Sequence, residues 1–132
     1  MSVPLVRLKV RADFLRAANS GAKAVTPGVI VQARRHDAAE AQRLPAVRIG
    51  YTVSRRVGNA VTRNRVKRRL RAAADQVLSV HAAPGRDYVL IGRAATAERS
   101  FADLLGDLQK ALKKLNAYQE TAPKADKKEQ AG

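Results

Sequence analysis

The feature that most constrains this chain is a Gly58-Asn59 break leading into a long amphipathic run, from about Ala60 or Thr62 to Val80. At helical spacing Val66, Leu70, Ala73 and Val77 fall in one stripe. Asn64, Lys67, Arg68 and Arg71 lie opposite, with Arg63, Arg65 and Arg69 on the flanks. A helix with one apolar side must cover it with another layer of structure. The other side has no such option, because six of the nine residues from Arg63 to Arg71 are cations and none is an acid. Gly58 permits a backbone geometry that a side chain would obstruct, so the preceding segment can turn straight into the helix. Asn59 or Thr62 can cap the first turn or leave its N–H groups facing phosphate.

What precedes and follows that helix sets the fold class. Val47 to Ser54 alternates, with Val47, Ile49, Tyr51 and Val53 on one face and Arg48, Thr52 and Ser54 on the other, as a half-buried strand does. Val29 to Arg35 also reads as a strand. Tyr88-Val89-Leu90-Ile91, within Asp87 to Gly92, is nearly continuous apolar sequence and suits a central strand buried on both faces. Asp13 is placed to cap a short helix through Phe14, Leu15 and Ala18 that Gly21 ends. His36 to Pro45 reads as a polar connection and Ala82 to Arg86 as a turn. Ser100 and Asp103 resemble a capping box opening a last helix, where Phe101, Leu104, Leu105, Leu108, Leu112 and Leu115 repeat at core-packing intervals. From Ala117 the chain is Lys, Glu, Ala, Gln and Pro with few bulky apolar residues. The expected organisation is one α+β domain over 1–116 and a disordered tail over 117–132.

Charge narrows the function. Lys and Arg number 26 against 11 Asp and Glu, for a net +15. No acid lies between Ala41 and Ala74, while Arg43, Arg48, Arg55, Arg56, Arg63, Arg65, Lys67, Arg68, Arg69 and Arg71 do, so this stretch supplies +10 of the excess. Such self-repulsion calls for a polyanion, and a nucleic acid is the partner it favours. The guanidinium fork grips phosphate oxygens in pairs, and Asn64 adds a donor and an acceptor suited to a base edge or a 2′-hydroxyl. With no Cys, disulfides and thiolate zinc sites are excluded. Met1 to Val10 carries Arg7 and Lys9 among apolar residues, unlike a secretory signal, and no segment nears the roughly 18 apolar residues of a membrane span. A cytoplasmic protein without a membrane partner is expected. His36 and His81 read as solvated or structural, and no carboxylate cluster, histidine pair or Gly-rich phosphate loop marks a catalytic or metal centre. On the residues alone, three alternatives remain: a structural RNA-binding protein, a DNA-binding regulator and a protein nuclease.

The segment Arg56-Val-Gly-Asn-Ala-Val-Thr-Arg-Asn-Arg-Val-Lys-Arg resembles the signature of bacterial ribonuclease P proteins, centred on the triplet Arg63-Asn64-Arg65. Arg11-Ala-Asp-Phe14 with Gly21, the strand Val47 to Ser54, Tyr88-Val-Leu-Ile-Gly-Arg93 and the last helix extend the likeness over roughly residues 7 to 115. The resemblance implies a small two-layer α–β sandwich in helix–strands–helix–strand–helix order, of the kind seen in the second domain of ribosomal protein S5. It also implies a left-handed β-α-β crossover, against the general right-handed preference. By the same resemblance the chain binds the catalytic RNA of ribonuclease P through Arg55, Arg56, Gly58, Asn59, Arg63, Asn64, Arg65, Lys67, Arg68, Arg69 and Arg71, as a monomer in a 1:1 complex. A cleft mapped to Phe14, Ala18, Gln32 and Arg93 receives the 5′ leader of precursor tRNA. Ala18 and Gln32 stand where many members carry aromatics, and Phe14 retains a stacking surface, with ordinary core packing as its other reading. The chain is then a subunit of an endoribonuclease holoenzyme whose chemistry belongs to the RNA, with Mg2+ held mainly by that RNA.

Overall fold

The computed structural model describes residues 2–120. The elements in chain order are β1 (Val6–Arg7), α1 (Arg11–Ser20), β2 (Ala22–Val25), β3 (Val29–Arg35), α2 (Ala38–Arg43), β4 (Val47–Thr52), α3 (Ala60–His81), β5 (Arg86–Gly92) and α4 (Phe101–Lys114), with 3-10 turns at Arg55–Val57 and Ala94–Ala97. The five strands form one sheet in the order β1-β4-β5-β3-β2. β1, β4 and β5 run parallel, while β3 is antiparallel to β5 and β2 to β3. β5 is the middle strand, as its unbroken apolar run requires. α3 supplies the crossover that a parallel β4–β5 pair needs.

The main core lies between one face of the sheet and the pair α3 and α4. Val66, Leu70, Ala73 and Val77 are buried there with Val29, Val31, Val47, Ile49, Tyr88 and Leu90, opposite Leu104, Leu108 and Leu112 of α4. Truncating any one of these leucines to Ala should cost about 2–5 kcal/mol. Gly92 brings α3 close to β5, since a Cβ at that position would sit 2.5 Å from Cγ1 of Val66. The opposite face is covered only in part. α1 rests Ala17, with Leu8, against Val89, and leaves open sheet beyond it.

Several expectations need correction. Asp13 does not cap α1: Val10 holds that position without a side-chain bond, and Asp13 lies within the first turn. Its carboxylate instead pairs with Arg16 and, across the fold, with Arg48 at 3.4 Å. The polar connection His36 to Pro45 contains α2, closed by a complete capping box. Asp37 Oδ1 accepts from the Glu40 N–H at 2.8 Å, and Glu40 Oε1 accepts from the Asp37 N–H at 2.9 Å. Of the two readings of His36, solvated or structural, the second holds: its Nε2 lies 2.7 Å from Asp87 Oδ1 in the interior. β1 and β2, too short for a periodicity to show, were not expected. Ser100 does cap α4, accepting from the Asp103 N–H at 3.1 Å.

The packed chain also runs past the expected boundary at Ala117. Ala117 is buried, its carbonyl accepts from the Ala83 N–H at 2.8 Å, and Tyr118 stacks on His81 with ring centroids 4.6 Å apart. The remainder of the expected tail, 121–132, lies outside the described residues. Among the described residues no helix is long and apolar enough to cross a membrane.

Candidate nucleic-acid interface

α3 starts where the chain leaves β4 through the turn Arg55–Val57 and Gly58. Gly58 has φ 156° and ψ −166°, a conformation open to glycine alone, and a Cβ there would meet Thr62 at 3.0 Å. Asn59 is the cap, its Oδ1 accepting from the Thr62 N–H at 2.9 Å. Arg63 folds back to donate from Nη1 to the Gly58 carbonyl at 2.7 Å, so this cation also braces the turn. Beyond it the charged face is bare. Arg55, Arg56, Arg65, Arg68 and Arg71 are exposed, and no hydrogen bond or ion pair holds any of them among the described residues. Asn64 is exposed between Arg63 and Arg65. Arg69 differs from these neighbours: its Nε donates to the Thr96 carbonyl at 3.0 Å and its Nη2 to the Arg99 carbonyl, tying α3 to the loop before α4.

On the partly open face of the sheet, α1 and the strands enclose a cleft of about 620 Å3. Phe14, Ala18 and Gln32 line it, so three residues far apart in sequence meet there. Phe14 packs against Gly50, where a Cβ would come within 2.4 Å of the ring, so the glycine lets the aromatic approach the strand closely. Arg93 is not among the lining residues. Its Nη1 donates to the Thr26 carbonyl at 2.7 Å, joining the end of β5 to the β2–β3 turn.

The lining also includes residues that sequence reasoning did not place there, namely Lys9, Arg11, Tyr51, Thr52 and Lys67. Tyr51 was read as one more inward residue of β4, yet its ring reaches the cleft with the Arg7 guanidinium 5.3 Å from its centroid. Burial pushes its hydroxyl up to about 12. Lys67 is the informative member because it belongs to α3. The cleft and the basic helix therefore adjoin, with Lys67 common to both.

Below the cleft, acids and bases are internally matched. Asp87, with no solvent exposure, accepts from Arg48 Nε and Nη2 at 2.8 Å each, lies 2.7 Å from His36 Nε2 and 3.4 Å from Arg34 Nη2. Burial alone would push its carboxyl up, but the Arg48 and His36 hydrogen bonds outweigh that and hold it below the ordinary value. Glu40 is held at about 2, mainly by its two bonds from Arg34 and then by the Asp37 N–H. These carboxylates are committed to arginine, and among the described residues no group of three or more His, Cys, Asp or Glu side chains is arranged to hold a metal ion.

The family model for ribonuclease P matches residues 4–116. The chain belongs to the ribonuclease P protein family. It is 50% identical over 121 residues to the ribonuclease P protein component of Paramagnetospirillum magneticum, spanning 92% of this chain and 90% of that one. It is 52% identical over 111 residues to that of Ruegeria pomeroyi, spanning 83% and 86%. The ribonuclease P protein of Staphylococcus aureus shares the fold, with a TM-score of 0.70 at 24% identity, over 88% of this chain and all of the other. Membership makes the chain a protein subunit of ribonuclease P, acting in tRNA processing with an RNA subunit as partner and tRNA as substrate.

Proposed function

We propose that the bare face of α3 binds the catalytic RNA of ribonuclease P, and that the adjoining cleft holds the single-stranded 5′ leader of precursor tRNA. The observation that carries this reading is the run of exposed arginines, Arg55, Arg56, Arg65, Arg68 and Arg71, that no carboxylate neutralises. Surfaces that need only solubility mix both signs. Gly58 and Asn59 set the direction of the helix, Asn64 and Lys67 add polar contacts, and Arg63 combines bracing with phosphate contact. Arg69 and Arg93 spend donors on backbone carbonyls, so in this reading they hold the interface loops and offer only their remaining N–H groups to RNA. In the cleft Phe14 provides a ring on which a base stacks, while Ala18 and Gln32 leave room and a hydrogen-bonding amide. The protein works as a monomer in a 1:1 complex with the RNA. Phosphodiester hydrolysis belongs to the RNA and its magnesium ions, with the protein screening phosphate repulsion and holding the leader in register.

The test is reconstitution with a bacterial catalytic RNA at low magnesium. The full chain should restore cleavage of precursor tRNA at the mature 5′ end. Arg65→Ala should weaken RNA binding and flatten its log–log salt dependence by about 0.7–0.9 for one lost phosphate contact. Phe14→Ala should lower affinity for precursor tRNA more than for mature tRNA. Failure of the wild-type chain to bind the RNA or raise its turnover would overturn the reading. Equal losses for both tRNA forms would remove the leader from the cleft.

A further inference from the structure

Cations left without a carboxylate mark the α3 face, and two more stand directly opposite each other at one end of the sheet. Arg35, the last residue of β3, and Arg86, the first of β5, are direct cross-strand partners. One step further the His36 N–H donates to the Gly85 carbonyl at 2.8 Å. That makes Arg35–Arg86 the closer, non-hydrogen-bonded kind of antiparallel pair, with Cα atoms about 4.5 Å apart. Like charges directly opposite one another destabilise a sheet. The neighbouring arginines avoid this penalty by pairing: Arg34 and Arg48 share Asp87. Arg35 and Arg86 have no acid partner among the described residues. Arg86 gives Nη1 to the Pro84 carbonyl at 3.1 Å, and the Arg35 guanidinium forms no hydrogen bond.

Both arginines line a second cleft of about 670 Å3 together with Ala33, Leu115 and Asn116. Arg34 lines it as well but is committed to Glu40 and Asp87, and among the described residues no carboxylate belongs to the lining. The carbonyl end of α4 does not account for the cations, since it is closed from within. Asn116, at φ 55°, turns the chain so that its own N–H reaches the Lys113 carbonyl at 3.1 Å and the Ala117 N–H reaches the Leu112 carbonyl at 2.8 Å. Two forked donors and a neutral amide around an acid-free hollow suit a phosphate group.

We propose that this cleft is a second phosphate-binding site, taking one phosphodiester of an RNA strand between Arg35 and Arg86 with Asn116 at its rim. It stands at the start of β5, whereas the early turns of α3 pack against the strand's other end at Gly92. RNA would thus be held at both ends of the central strand. The RNA assignment rests on the proposed function, but the presence of an anion site does not.

Two measurements separate them. In the first, Arg Nε–H resonances of the full chain are followed by NMR during titration with pyrophosphate, and Arg35→Gln and Arg86→Gln identify the two signals. Both signals should shift together and saturably; absence of a saturable shift overturns the site. In the second, salt dependence of binding to the catalytic RNA is compared for wild type, Arg65→Ala and Arg35→Gln/Arg86→Gln. The double variant should lose about 0.7–0.9 from the log–log slope, for the one phosphate contact. Arg35→Lys/Arg86→Lys, which keeps the charge, should retain most of that slope. An unchanged slope in the glutamine variant, with Arg65→Ala still flattened, overturns the RNA assignment and leaves the α3 reading standing. A pyrophosphate shift with no change in slope makes it a small-anion site and overturns the proposal as stated. Loss of RNA binding by the wild type sinks both RNA readings, and the first measurement then decides the anion site alone. The glutamine variant removes a like-charge pair, so its thermal midpoint should equal or exceed that of the wild type in low salt; a variant that fails to fold overturns the claim that the pair is uncompensated.

Discussion

On the outer side of α3, Arg65, Arg68 and Arg71 reach solvent with no ion-pair partner among the described residues, whereas around Asp87 two guanidinium groups and an imidazole converge on one buried carboxylate. The residue types are nearly the same and the physics is opposite. A guanidinium taken out of water must be paired, so Arg48, Arg34 and His36 are assembled with Asp87, Glu40 and Asp13 from four different segments. A guanidinium at the surface keeps its hydration and can remain single until a phosphate displaces that water. The internal cluster consumes charge to fix how α1 and α2 sit on the sheet, Arg48 bridging Asp87 and Asp13 for the first and Arg34 bridging Asp87 and Glu40 for the second. The external one conserves charge for a partner.

Removing the shared carboxylate tests the contrast most severely. Asp87→Ala leaves Arg48 and Arg34 without their central acid and should cost about 3–5 kcal/mol in urea unfolding. A loss below about 1 kcal/mol would mean the cluster is solvated and the distinction empty. Gly58→Ala comes next, at about 1–3 kcal/mol for a side chain forced into this backbone conformation, and RNA affinity should fall with it because the turn aims the helix. By comparison Arg65→Ala or Arg68→Ala should move stability by no more than about 0.5 kcal/mol while weakening RNA binding. A large stability loss there would show a hidden partner.

Acid should distinguish the two regions without mutation. Glu40 and Asp87 both titrate below their ordinary values when folded. The stability they contribute is present above the unfolded values and is lost as pH falls through the folded ones. For Glu40 that window runs from its ordinary 4.5 down to about 2. Thermal midpoints should decline across it, and Arg34→Met should flatten the decline. Arg65→Ala, which removes no carboxylate partner, should leave its shape unchanged.

Local pattern was enough for the elements that announce themselves by periodicity. α3 with its stripe, the alternating β4, the apolar β5 and the leucine-spaced α4 were all legible, because each buries one face or both and its residues must repeat accordingly. The capping box that opens α2, Asp37 to Glu40, was also present in the sequence but was passed over in a segment without a bulky apolar stripe. The arginine-rich face was legible for a simpler reason: absence of acids from Ala41 to Ala74 is a property of composition and needs no coordinates.

Long-range partnership was decided only in three dimensions. Asp13 looked like a cap until Arg48, 35 residues away, supplied a stronger partner than a backbone N–H. Tyr51 packs against the core as its place in β4 requires, and only the fold shows that it also lines the cleft. Arg69 and Arg93 looked like their basic neighbours, yet fold onto carbonyls brought close by other elements. A sequence specifies which faces must be buried, since hydrophobic spacing acts over one or two turns. Which charges become neutralised depends on strand order and register, and those arise only when the whole sheet closes.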